Sequence, residues 1–485
     1  MLFNSYAFIF GFLPITLIVF FGLTKFRLLK IATAWLVIAS LAFYAYWNIA
    51  YLPLLLISIG CNYFIGKSIE HVQPATHQSK KLLWIGIGIN LALLAYYKYA
   101  TFFITSLEHL LSTDWQVPEI ILPLGISFYT FTQTAYLVDA YHGKTKNYNI
   151  ITYSLFVTFF PHLIAGPILD DKEIIPQFHK LRNFVFSHKN LAQGLTLFTL
   201  GLFKKVIIGD NLSPWVAPVF NHAADVSFLE AWAGALSYTL QLYFDFSGYS
   251  DMAVGLGLML NINLPVNFDS PYKATSISDF WRRWHITLSN FLRDYLYIPL
   301  GGNRKGEIRR YNNLLITMLL GGLWHGAGWT FVVWGGLHGI FLCINHWWRQ
   351  HGKRLPKFIA WVITFSAVVV SWVYFRARTL SDAREIVKTM VGMKGIVLAK
   401  SYESTLNWLT PFGVQFNQTQ SYLNVDARIL TVLAGLLLCV TLLPNTQQLM
   451  QQFKPNWWWA VLVSSIATYC LLSLNHVSEF LYFQF

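Results

Sequence analysis

The sequence predicts an all-α polytopic membrane protein, and three observations carry that expectation. Charged residues make up 12% of the 485 positions, about half of the ~25% usual in soluble domains. Mean hydropathy is +0.46. Apolar stretches approaching the ~20 residues needed to cross a hydrocarbon core of ~30 Å recur from one end of the chain to the other. Length therefore counts spans and not soluble domains. Residues 1–485 read as one integral membrane domain, with N-terminal helices over 1–120, a core over 121–348 and C-terminal helices over 349–485.

The formal net charge of +13 does not indicate nucleic acid. Lys and Arg sit in short clusters between apolar runs, as the positive-inside rule expects. Cys61, Cys343, Cys439 and Cys470 form no CxxC or CxxH pair, so neither a metal nor a redox site is expected. Residues 1–24 have no basic stretch before the apolar run and no small-residue cleavage site after it, which favours a retained helix over a signal peptide. Lys25, Arg27 and Lys30 then place the N-terminus outside and the 25–30 loop in the cytoplasm.

Residues 31–66 carry no charge and are too long for one span, and Asn48 and Pro53 offer a turn for a hairpin. Its return loop carries Lys67, Lys80 and Lys81 on the same side as the first basic cluster. Further apolar runs lie near 82–97, 120–138, 147–168, 190–209, 231–264, 311–348, 358–375, 429–447 and 456–476. Ten to thirteen helices are expected, some of them re-entrant or amphipathic. Irregular backbone at membrane depth survives only where protein or a water-filled cavity satisfies it, so the runs broken by Pro, Gly and Asn point to an internal cavity. Segment 377–425 is the longest polar connection, with an amphipathic helix expected around 381–393. No repeat of 20–50 residues or inverted duplication stands out, which counts against a carrier.

Chemistry concentrates in two stretches. In residues 261–311 charge and aromatic rings cluster abruptly. Ser276 followed by Asp279 resembles a capping box, so a helix is expected from about 277 toward Pro299. On it Trp281, His285, Leu288 and Leu292 follow i, i+4, i+7, i+11 spacing and share one face. Ordinary packing fits that stripe as well as a functional role for His285 does. Arg282 and Arg283 read either as interfacial anchors or as a basic rim for the phosphates of an acyl donor. The second stretch, within a charge-free run from Tyr311 to Trp348, is expected to hold two helices with His325 buried in the middle among Gly321, Gly322, Gly326 and Gly328. So many glycines in an apolar segment imply close backbone approach or a bend. An ionisable residue at membrane depth is a functional-site hypothesis by default. A desolvated imidazole favours its neutral form, able to take a proton from a hydroxyl as it attacks a thioester. His338 is expected to pack and His346 to be interfacial. Asp245 and Asp251, upstream in QLYFDFSGYSDMAVG, could orient a histidine, but an ion pair with Arg282 or Arg283 is the expected role. The absence of GxSxG, P-loop, HExxH and GxGxxG patterns disfavours serine hydrolysis, NTP hydrolysis, zinc proteolysis and dinucleotide chemistry.

Read in order, PLGISFYTF (123–131), YLVDAY (136–141), FFPHLIAGPI (159–168), LFKKVIIGDNL (202–212), YFDFSGYSDMA (243–253), FWRRWHITLSNFLRDYLYIPLGGNR (280–304), GLWHGAGWTFVVWGGLHG (322–339) and FLYFQF (480–485) resemble the membrane-bound O-acyltransferase family, in its bacterial alginate O-acetylation branch. The resemblance implies a ring of tilted transmembrane helices around a central tunnel. It implies catalytic roles for His325 and, as the second polar position, His285. Trp281, Arg282, Arg283, Trp324, Asp245 and Asp251 are the candidate substrate-contacting residues around them. His162 departs from the glutamine expected in FFPHLIAGPI. The resemblance further implies acetyl-CoA as co-substrate with no tightly bound cofactor, and location in the bacterial inner membrane. It implies a hydrolase-like acetyltransferase partner outside the cytoplasm, serving polysaccharide modification and export. D-alanyl transfer to a cell-envelope polymer, a transporter or flippase, and a scaffold for a polysaccharide synthase are the alternatives.

Overall fold

The computed structural model describes residues 1–72, 75–113, 115, 120–145, 148–352, 354–417 and 422–474. The terminal FLYFQF lies outside them. Among the described residues the fold is helical apart from one pair of four-residue parallel strands, Ile396–Ala399 and Val414–Asn417, in register Ile396 to Val414. That pair sits in the polar connection, where no strand was expected. Among the described residues five helices are long and apolar enough to cross a membrane: Ala7–Lys25, Ile49–His71, His77–Leu111, His188–Asn221 and Lys357–Arg376. Leu29–Ala45, Ala427–Leu442 and Trp457–Leu472 are shorter apolar helices.

The chain divides into two compact units. The first comprises residues 1–203, 248–267 and the described chain from Met450; the second comprises 204–247 and 268–449. The 32-residue helix Phe228–Met259 gives its earlier part to the second unit and its later part to the first.

In the first unit the expected hairpin forms. Leu29–Ala45 ends just before Asn48, whose side chain accepts from the Ala50 amide, and Leu52–His71 follows with Pro53 in its first turn. Between apolar helices the adhesive is polar. Asn62 and Asn90 exchange amide hydrogen bonds of 3.0 and 2.8 Å, and Gln133 donates to Ser58 at 2.9 Å. Such bonds contribute roughly 0.6–1.7 kcal/mol each where lipid provides no hydrophobic drive for helices to associate. His162 is buried, and one ring nitrogen lies 2.9 Å from the Phe156 carbonyl oxygen. That bond ties the four-residue helix Phe160–Leu163 back to the helix Ile150–Thr158 before it.

In the second unit the charge-free run folds as expected into two helices, Glu307–His325 and Trp329–His351, with Gly326–Gly328 as the turn. Their packing depends on missing side chains. A Cβ on Gly335 would run into the Met318 carbonyl oxygen and lie 3.2 Å from the Gly322 Cα. One on Gly322 would meet the Phe331 carbonyl oxygen. The helix expected around 381–393 is Leu380–Met390, opened by a full capping box between Thr379 and Asp382.

Gly335→Ala is therefore expected to destabilise by ~1–3 kcal/mol, because backbone cannot give way as a side chain does. At Gly336 the same Cβ would be 3.5 Å from Leu319 Cδ2, so Gly336→Ala should be neutral or slightly stabilising. Thermal unfolding of the two purified variants in detergent compares them directly; equal midpoints would remove the close-approach argument.

Candidate active site

The helix expected to run from 277 toward Pro299 is broken at His285. Ser276 caps Ile277–Arg283 by accepting from the Asp279 amide at 3.1 Å, which is half of a capping box. The Asp279 carboxylate turns instead to Arg283, at 2.9 Å. The break has a specific cause. The Asp269 amide donates to the Arg283 carbonyl at 3.0 Å, taking an acceptor that a continuous helix would keep for itself. His285 then adopts left-handed backbone, φ 43° and ψ 55°, and a new helix starts at Ile286. For a non-glycine residue such backbone costs on the order of 1–3 kcal/mol and persists only where the surroundings over-determine it. Because of the break, the helical face expected to join Trp281 and His285 does not exist.

His325 is the last residue of Glu307–His325, at the Gly-rich turn that divides the charge-free run into its two helices. The two histidines meet nonetheless, with ring centroids 6.4 Å apart. His285 is fully buried and His325 is 9% exposed. Phe246 stands edge-on to His285 at 4.8 Å, and Trp324 lies 6.1 Å from the same ring. Around His325 are Trp324 at 4.9 Å, Trp334 at 5.1 Å and Phe375 at 5.3 Å. These rings form an aromatic box around two imidazoles, a low-dielectric setting in which fixed polar groups act strongly. Trp281 joins at one remove: its indole N–H donates to Nδ1 of the buried His338 at 3.2 Å. Trp334 lies between His338 and His325, 4.9 Å from the former. Since indole only donates, His338 Nδ1 is the accepting nitrogen, and a neutral ring carries its proton on Nε2.

The charged candidates go elsewhere. Arg282 is exposed, and Arg283 is engaged with Asp279 and with the Asp269 carbonyl, the latter at 3.2 Å. The ion pair expected between Asp245 and these arginines is replaced by one to Lys205, 2.5 Å away, which also reaches Asp210 at 2.6 Å. Lys205 lies on the π-helical turns Phe203–Gly209, and Gly209 lets this backbone approach Asp245, where a Cβ would lie 3.2 Å from the Asp245 amide nitrogen. Asp251 is buried on the part of the long helix that belongs to the first unit. Sequence reasoning missed Lys205, Phe246, Trp334 and Phe375. Trp334 and His338 are one helical turn apart in a quoted motif and could have been paired by spacing. Phe375 comes from the helix Lys357–Arg376 and left no sequence signal.

Lys205 Nζ is buried with two carboxylates, so Lys205→Met leaves uncompensated charge and should destabilise by ~3–5 kcal/mol. The double change Lys205→Met, Asp245→Asn should recover part of this. Monodisperse yield and thermal midpoint in detergent report both, and a stable single variant would show that the ion pair is structurally dispensable.

Comparison with known proteins adds the context for this geometry. The chain is 42% identical to the peptidoglycan O-acetyltransferase of Helicobacter pylori, over 100% of this chain and 98% of that protein. It is 44% identical to a protein of Azotobacter vinelandii named probable alginate O-acetylase AlgI, over 79% of this chain and 76% of the relative. A teichoic acid D-alanyltransferase of Streptococcus thermophilus is 29% identical over 48% of this chain and 59% of its own. The family model described as MBOAT, membrane-bound O-acyltransferase family, matches residues 95–380, which include both histidines. With that match and a full-length relative at this identity, the chain belongs to the membrane-bound O-acyltransferase family and is an integral membrane O-acyltransferase.

Proposed function

We propose that the protein transfers acetyl groups from acetyl-CoA on the cytoplasmic side of the inner membrane toward the hydroxyls of an exported or cell-envelope polysaccharide, of the alginate or peptidoglycan kind. His325 is the general base. The observation that carries this reading is the meeting of the His285 and His325 rings at 6.4 Å inside an aromatic box, in a chain similar along its whole length to a named O-acetyltransferase.

The chemistry balances on one imidazole. His325 takes the proton of the acceptor hydroxyl as that oxygen attacks the thioester carbonyl. The tetrahedral intermediate collapses with loss of the C–S bond, and the departing sulfur receives the proton from the imidazolium. General-base assistance of this kind contributes typically 10²–10⁴-fold. The position of His325 at a helix C-terminus suits it, because the negative end of the helix dipole favours a cation forming there. His285, fixed by its left-handed backbone and its aromatic neighbours, positions the His325 side of the aromatic box. A hydrolase-like partner outside the cytoplasm passes the acetyl group onward to the polymer and its export machinery. D-alanyl transfer is the second reading within the family, with a shorter and weaker similarity behind it.

His325→Ala should lower acetyl transfer at least 10²-fold while membrane abundance stays at the wild-type level. His285→Ala should lower it by a smaller factor. The assay is transfer of labelled acetyl from acetyl-CoA in membranes, with alginate and peptidoglycan acceptors, and with or without candidate partners. Undiminished transfer in His325→Ala would remove the base assignment, and polymer movement without acylation would favour a transporter.

A further inference from the structure

In the first unit the segment Ala7–Lys25 presents Ile9, Leu13, Leu17 and Phe21 at intervals of four residues, the spacing of one helical face. The first six residues of this segment, Ala7–Phe12, form a π-helix, a local widening often found at functional sites. The stripe is one wall of a groove of about 430 Å³, whose opposite walls come from His188–Leu202, with Leu195 and Leu202, and from Trp457–Leu472, with Leu471. Among the described side chains lining it, Thr199 is the sole polar one. Two of the three walls belong to helices that qualify as membrane spans, so the groove lies at the depth of hydrocarbon. Its open side leaves Leu195 45% exposed.

The two ends differ. At one, the Tyr6 hydroxyl donates to the Leu471 carbonyl at 2.7 Å. At the other, Phe21 meets Phe186 edge-on at 5.0 Å, and Phe186 meets His188 at 4.9 Å. Lys25, one turn beyond Phe21, and Lys189, beside His188, are exposed at this end. Residues 1–69, 174–209 and 446–474 contain no Asp or Glu, so none of these three walls carries an acid that offsets these cations; the helix that contributes Met259 carries its nearest acid, Asp251, about two turns away along the chain. From Ile9 to Phe21 the helical rise gives about 18 Å, close to the ~15 Å of one leaflet of a ~30 Å hydrocarbon core. The groove thus combines the length of one leaflet, apolar walls and a cationic mouth.

We propose that this groove binds one anionic glycerophospholipid, with an acyl chain along the Ile9–Phe21 stripe and the headgroup phosphate against Lys25 and Lys189. The site is separate from the histidine box, and its test does not depend on acyl transfer. The full chain is purified in detergent, exchanged into lipid-free micelles, and offered phosphatidylglycerol or phosphatidylcholine. Bound lipid is counted by native mass spectrometry, and a photoactivatable phosphatidylglycerol maps the contact in the unaltered protein. One phosphatidylglycerol should be retained per chain in preference to phosphatidylcholine, with labelling at the groove walls. Lys25→Gln with Lys189→Gln should reduce the preference on the order of fivefold per cation removed. Leu195→Trp, at a position open enough to accept the larger ring, should reduce retention of both lipids with an unchanged elution profile. Labelling elsewhere, or equal retention of the two lipids, would overturn the proposal. So would efficient disulfide crosslinking of Ile18→Cys copies in membranes, which would show a second copy covering the groove.

Discussion

The candidate active-site region depends on one constraint: where a helix stops, another group must take the backbone N–H or C=O it leaves without an intrahelical partner. The Asp269 amide meets this condition at Arg283, allowing the chain to leave the helix after Arg283 and turn through left-handed backbone at His285. The ladder then restarts as the Ser289 amide donates to the His285 carbonyl at 3.0 Å. At the end of the other helix the Gly328 amide donates to the Gly326 carbonyl at 3.0 Å within the turn that follows His325. Both imidazoles thus sit at helix ends, where a side chain can be aimed independently of the 3.6-residue period. The strained backbone at His285 persists because the large rings packed around it over-determine its conformation.

The same constraint explains how much could be read in advance. Hydropathy, the Asn48 and Pro53 turn, and the split of 311–348 into two helices follow from length, composition and breaker residues, and the structure reproduces them. The glycines of GLWHG were also legible as points of close approach, since their meaning is local. Two features were not. A helix break caused by the amide of Asp269, fourteen residues before the carbonyl it engages, leaves the apolar spacing of 281–292 intact, so a periodicity argument continues straight through it. The ion pair of Asp245 depends on a π-helical turn bringing Lys205 inward, and nothing in LFKKVIIGDNL distinguishes Lys205 from the half-buried Lys204 beside it.

The lysine and its two carboxylates also show why charge at depth is weak evidence for stability. Removing all three in favour of well-packed apolar side chains is often neutral or stabilising in comparable settings, whereas removing one partner is costly. What the pair specifies is alignment: Lys205 accepts only a register that presents both Asp210 and Asp245, and so fixes the π-helical turns against the long helix from which Phe246 reaches His285. Phe246 is one residue beyond Asp245, so a slip of that helix would withdraw the ring from the imidazole.

The proposed roles of the two histidines follow their difference in burial. His285 is fully buried, while His325 retains 9% of its surface. A general base must come within hydrogen-bond reach of the proton it removes, and that requirement favours the less buried of the two residues. The charge that forms on the base must also be accommodated at the moment of transfer without rearranging the site, which preorganised dipoles provide. His325 ends a 19-residue helix and has the negative end of that dipole beside it, whereas His285 lies between the end of Ile277–Arg283 and the start of Ile286–Leu292, where the two dipole ends oppose each other. In the proposed mechanism the proton therefore goes to His325 and the positioning to His285.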